Sequence, residues 1–125
     1  MRFRSAQHVR TSTEFDLVRT QGKRRDCGAF LLHLREFSTA ERAPVRRLGV
    51  VASRRVGNAV FRARAKRLLR ETFRLNQEAL PENCDIVLMA RSAIHRFDLA
   101  TIMRRYGAAV HQMRLENPSP APEDS

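Results

Sequence analysis

The sequence predicts an α+β fold: a two-layer sandwich in which a small mixed sheet is covered by helices, in the order α-β-β-α-β-α. Three observations carry the prediction. Phe30, Leu32 and Leu34 alternate with Leu31, His33 and Arg35, the period of a strand. Cys84 to Ala90 is a short, nearly continuous apolar run, the length of a strand buried on both faces. Two longer stretches, about 59–76 and 98–115, repeat their apolar residues at helical spacing.

The elements follow in chain order. Thr11-Ser12-Thr13-Glu14 reads as a capping box, opening a short helix with Phe15, Leu17 and Val18 that stops near Gly22. The first strand spans Cys27 to Phe37, and Ser38 to Pro44 is a loop. Arg47 to Ser53 is a second strand, and the short link suggests that the two form a hairpin. In the long helix Phe61, Ala65, Leu68, Leu69, Thr72 and Leu75 make one apolar stripe. Lys66, Arg67, Arg70 and Arg74 cluster on the opposite face with Ala63, while Arg62 and Arg64 lie near the borders. Arg67 and Glu71 are spaced as an i,i+4 ion pair. The last helix places Leu99, Ile102, Met103, Tyr106, Val110 and Met113 on one side. Residues 1–115 then form a single α/β sandwich domain, and 116–125 a Pro-rich acidic tail expected to be disordered.

The chain has 125 residues, 42% of them apolar, enough for one core. No apolar run reaches transmembrane length, which argues against a membrane partner. Met1-Arg2-Phe3-Arg4 leads into a polar stretch rather than a signal-peptide apolar region, so a cytoplasmic location is expected. Cys27 and Cys84 are far apart and read as small buried residues. The net charge is +11, and 22 of the 24 basic residues are Arg. From Arg46 to Arg74 there are ten basic residues and one acid. Codon bias can explain the preference for Arg, but not this clustering. A one-sided basic concentration in a folded domain is the footprint of nucleic-acid binding.

Signs of a protein-borne active site are weak. His8, His33, His95 and His111 show no metal-ligand spacing, and the thirteen acids are scattered. Phe15 is either a core anchor or a face for an unpaired base. His33, on the more polar side of its strand, either stacks on a base or sits at the surface.

The stretch from Arg47 to Phe73 resembles the signature of the bacterial ribonuclease P protein subunit. The resemblance rests on Gly49, Ser53, Arg54, Arg55, Val56, Gly57, Asn58, Ala59, Val60, Arg62, Arg64, Lys66, Arg67, Arg70 and Glu71 in fixed register. The Phe15 helix, the Phe30 strand and the run from Asp85 to Arg91 follow in the family's order, so the likeness covers about residues 9–115. It implies a protein cofactor for a catalytic RNA, with no catalytic side chain and no metal site of its own. The holoenzyme would remove the 5′ leader of precursor tRNA, using Mg²⁺ held mainly by RNA. It implies one monomeric protein per catalytic RNA.

By matched position, Arg54, Arg55, Asn58, Arg62, Arg64, Lys66, Arg67, Arg70 and Arg74 would bind the catalytic RNA. Phe15, Arg19, Leu31 and His33 would line a groove for the single-stranded leader, floored by Val50 and Ala52 or their neighbours. Ala63 stands where the family has Asn, Arg19 where a second aromatic is frequent, and His33 where Tyr is common. Leader binding would therefore lean more on charge and less on stacking. A ribosomal or ribosome-assembly protein of similar fold is the rival explanation of size and charge. A metal-dependent nuclease whose carboxylates meet only in the fold is another.

Overall fold

The structure, a computed structural model, describes residues 7–116. Of the proposed tail 116–125, Glu116 instead ends the last helix, and 117–125 lie outside the described residues. The elements are α1 (Ser12–Gln21), β1 (Lys23–Asp26), β2 (Phe30–Glu36), β3 (Arg46–Val51), α2 (Ala59–Leu75), β4 (Cys84–Ala90) and α3 (Leu99–Glu116). Short 3-10 helices occupy Arg54–Val56, Gln77–Ala79 and Ser92–Arg96.

Local chemistry sets the ends of α1 as the sequence suggests. The Glu14 amide donates to Thr11 Oγ1 at 3.1 Å, and Glu14 Oε1 accepts from the Thr11 amide at 3.1 Å. Both halves of the capping box are thus present, and Gly22 is the C-cap. Strand β1 is an addition to the expected order. Its sequence, Lys-Arg-Arg-Asp, has no apolar residue to betray a strand. It forms because it pairs with β2, with Lys23 opposite Leu34 and Asp26 opposite Leu31. Charged side chains on such an outer strand also discourage pairing with other chains.

The sheet order is β1-β2-β4-β3. This corrects the expected hairpin. Strand β4 enters between β2 and β3, antiparallel to β2 (Phe30 opposite Ala90) and parallel to β3 (Arg46 beside Cys84). The apolar β4, buried on both faces, takes the centre, where neighbours on either side satisfy its backbone. The link 37–45 crosses the start of β4 and is bound to it. The Phe37 amide donates to Asn83 O, and the Cys84 amide donates to Val45 O. Arg42 adds bonds to Asn83 Oδ1 at 2.7 Å and Asp85 Oδ1 at 2.8 Å, with its guanidinium 3.8 Å above the Phe37 ring.

One face of the sheet (Phe30, Leu32, Leu34, Leu48, Ile86, Leu88) forms the main core with α2 and α3. Ala65, Leu69 and Phe73 enter from α2; Ile102, Tyr106, Val110 and Met113 enter from α3. The inward stripe of α2 is rotated from the expected one. Phe73 is fully buried, whereas Phe61 and Leu75 are 46% and 50% exposed. Helix α1 covers part of the other face, where Val18 and Val87 are buried.

Candidate nucleic-acid interface

Helix α2 begins at Asn58, whose Oδ1 accepts from the Phe61 amide at 3.0 Å. This candidate RNA ligand therefore serves as the helix cap. With Leu69 and Phe73 directed into the core, Lys66, Arg67, Arg70 and Arg74 point outward. Arg54 and Arg55, exposed in the preceding turn, extend the same basic region. Arg62, Lys66 and Arg70 line a shallow hollow of about 310 Å³ with Ala52, Ala59 and Ala63. Arg54, Arg55, Arg62, Arg64, Lys66, Arg67 and Arg70 have no carboxylate within 4 Å among the described residues. Such unneutralised cations suit phosphate, and Arg also suits base faces.

Three basic residues of the dense stretch are engaged within the fold. Arg46 donates to Leu80 O and Pro81 O. Arg47 pairs with Glu14 at 2.8 Å and Asp85 at 3.4 Å. Arg74 pairs with Glu71, which corrects the expected Arg67 partnership. The engagement of half-buried Arg46 and Arg47 is invisible in a count of charges along the chain.

The second candidate surface lies on the α1 side of the sheet. Gly49 is needed there: a Cβ at this position would come within 2.5 Å of Phe15 Cε1. The Phe15 ring thus rests on the β3 backbone. Register places two cross-strand rows on this face. The row Arg24, His33, Val87 and Gly49 runs toward α1, with the last three buried. The next row is Asp26, Leu31, Met89 and Val51; the last three are half-buried and leave an open apolar floor, with exposed Asp26 at its β1 end. Arg19, exposed on α1, pairs with Asp16 at 2.9 Å.

Of the groove residues matched by sequence, Phe15, Leu31 and His33 share this face. Val50 and Ala52 do not share the floor. Val50 aligns with Leu88 on the core side, and both pack against the main core. Their neighbours Gly49 and Val51 take the floor. Val50 still borders a hollow of about 120 Å³ at the β3 edge with His8, Phe15 and Arg70, where the two surfaces meet. Met89 escaped sequence reasoning because it joins the floor only once β4 is placed between β2 and β3. The alternation Cys84, Ile86, Leu88 against Asp85, Val87, Met89 was the available signal.

His33 is 5% exposed. Burial first, then the charges of Arg24 and Arg19, holds its pKa below 6.5, so it is neutral at pH 7. Its position under α1 makes it a wall of the groove rather than a free stacking ring. Burial raises the Cys27 thiol to about 11 and the Cys84 thiol to about 12, so neither is a thiolate nucleophile at neutral pH. Among the described residues, no group of three or more His, Cys, Asp or Glu could hold a metal ion. The chemistry on offer is binding: phosphates along α2, and flexible apolar or aromatic groups beside α1.

Comparison with known proteins agrees. The family model described as Ribonuclease P matches residues 3–114. A ribonuclease P protein component of Clostridium novyi (strain NT) is 34% identical over 86 residues, 69% of this chain and 74% of that protein. One of Syntrophus aciditrophicus (strain SB) is 30% identical over 104 residues, 83% of this chain and 84% of that protein. The RNase P protein from Thermotoga maritima superposes with a TM-score of 0.71 at 28% identity, covering 84% of this chain and 96% of that one. The Staphylococcus aureus RNase P protein shares the fold, with a TM-score of 0.72 at 23% identity over 87% and 95% of the two chains. The family match spans nearly every residue that builds the sheet, the basic helix and the groove, and the chain belongs to the ribonuclease P protein family.

Proposed function

We propose that this chain is the protein subunit of a ribonucleoprotein endonuclease that matures the 5′ end of tRNA. The α2 face docks on the catalytic RNA, and the groove beside α1 receives the single-stranded leader of precursor tRNA. The observation that carries this reading is the pairing of surfaces. Seven cations with no carboxylate within 4 Å among the described residues lie next to a half-buried apolar floor beside Phe15. A folded RNA offers phosphates to the first, and an unpaired strand offers bases to the second.

Bond cleavage in this reading belongs to the RNA. In this reading Mg²⁺ sits mainly on RNA phosphates, and no protein side chain attacks the phosphodiester. The protein screens the RNA, orients the leader and adds affinity for the precursor over the product, which lacks a leader. We further propose one cytoplasmic protein per catalytic RNA.

Reconstitution tests the proposal. The protein is mixed with a bacterial ribonuclease P RNA and precursor tRNA at low Mg²⁺, where the RNA alone is slow. The expected result is cleavage at the mature 5′ end only with both components. Cleavage by protein free of RNA contradicts the assignment of chemistry. Binding to the RNA without stimulation contradicts the role in leader removal.

A further inference from the structure

We infer that Phe61, with Val60, forms a stacking platform for an unpaired base of the structured RNA held by α2. The inference rests on α2 as the RNA-docking element, and adds a contact that the basic signature does not contain. Phe61 is not among the residues that carry the family resemblance. By helical spacing it belongs to the apolar stripe, yet it is 46% exposed, and its neighbour Val60 is 75% exposed.

The ring is held in place without being covered. On one side lies Gly57, at φ 141°, where a Cβ would stand 3.0 Å from Phe61 Cβ and Cδ2. On another side lies His95, its ring centroid 4.6 Å away and its plane tilted by 55°. His95 is itself fixed, with Nε2 2.6 Å from Val56 O. Ordering a ring that is already seated costs little on binding. The surroundings select the occupant. Arg54 and Arg55 precede the platform, Arg62 and Arg64 follow it, and none has a carboxylate within 4 Å among the described residues. A partner that covers this surface has to combine flat apolar faces with negative charge, as an unpaired nucleotide does. A second copy of this chain would bring the same cations against these.

The test uses the full-length protein and a bacterial ribonuclease P RNA. Phe61→Ala, Phe61→Trp and the unaltered protein are compared for RNA affinity across a salt series, with melting temperatures measured in parallel. Phe61→Ala is expected to weaken binding about 5- to 100-fold while leaving the log–log salt slope unchanged, because stacking releases no counterions. Phe61→Trp is expected to restore affinity, with its fluorescence quenched by the RNA. Wild-type affinity in Phe61→Ala overturns the inference. So does an affinity loss accompanied by a flatter salt slope or by a matching loss of melting temperature. A change in the sedimentation of the protein alone in Phe61→Ala identifies a second copy as the occupant and also overturns it. Failure of the unaltered protein to bind the RNA removes the docking reading itself.

Discussion

Replacing Glu14 with Gln should loosen α1 by a predictable amount, with a recognisable pH dependence. Glu14 closes the capping box and also pairs with Arg47, which bridges to Asp85 in the central strand. The Arg47 guanidinium is the largest cause of its lowered pKa, followed by the Arg10 amide; the carboxyl falls from 4.5 to about 2. Taken whole, that difference corresponds to about 3 kcal/mol at most. The side chain is 34% exposed, so solvent screening reduces the contribution to about 1 kcal/mol. Gln still serves as the N3 partner of the capping box, which isolates the charge.

The expected result at pH 7 is a melting temperature lowered by roughly 3–6 °C. The folded pKa lies below the unfolded one, so the contribution is complete above about pH 4.5 and is lost as pH falls toward 2. Thermal melts from pH 7 to pH 2 should therefore show the two proteins converging below pH 4.5. A difference that persists unchanged into acid, or no difference at pH 7, refutes the assignment to the Arg47 pair. Since α1 carries Phe15, the variant should also lose affinity for precursor tRNA more than for leaderless tRNA.

Other expectations follow from the same geometry. Gly49→Ala drives a Cβ into the Phe15 ring and should destabilise by about 1–3 kcal/mol. Holoenzyme titrations should show it weakening leader-dependent binding while RNA docking is retained. Arg64→Ala with Arg67→Ala should flatten the salt dependence of RNA binding by about 1.4–1.8 in log–log slope, since each phosphate contact contributes about 0.7–0.9. Unchanged thermal stability in that double variant separates docking from folding. Phe73→Ala removes a fully buried ring and should cost about 3–5 kcal/mol in a denaturant titration, in contrast to the half-exposed Phe61 one face away.

Elements whose signal is local could be read from the chain. Thr11 and Glu14 announce α1, and the apolar run at 84–90 coincides with β4. Where neighbours decide, local pattern failed. Strand β1 exists because β2 lends it hydrogen bonds, not because Lys-Arg-Arg-Asp favours a strand. The expected hairpin does not form because β4, buried on both faces, needs two partners and lies between β2 and β3. The groove floor depends on the same insertion. Val50 and Val51 are adjacent and chemically identical, and only the register against Leu88 and Met89 shows which faces the α1 side of the sheet. On α2, the 100° period located the stripe but not its centre, because whether Phe61 or Phe73 is covered depends on where the sheet ends. Arg46 and Arg47 add to the count of basic residues but are engaged inside the fold for a parallel reason: their acceptors, Leu80, Pro81, Glu14 and Asp85, are distant in sequence.

The late insertion of β4 carries a consequence for synthesis. Until residues 84–90 leave the ribosome, β2 and β3 have no strand between them, and the faces of α2 that carry Leu69 and Phe73 have nothing complete to cover. A nascent chain ending before Cys84 would hold the whole basic helix yet lack the sheet that orients it. Such a chain exposes two unpaired strand edges beside a dense block of Arg, a combination prone to aggregation and to indiscriminate capture of nearby RNA. The orientation of the basic helix is therefore set by the last strand to be synthesised, which lies inside the sheet rather than at its edge.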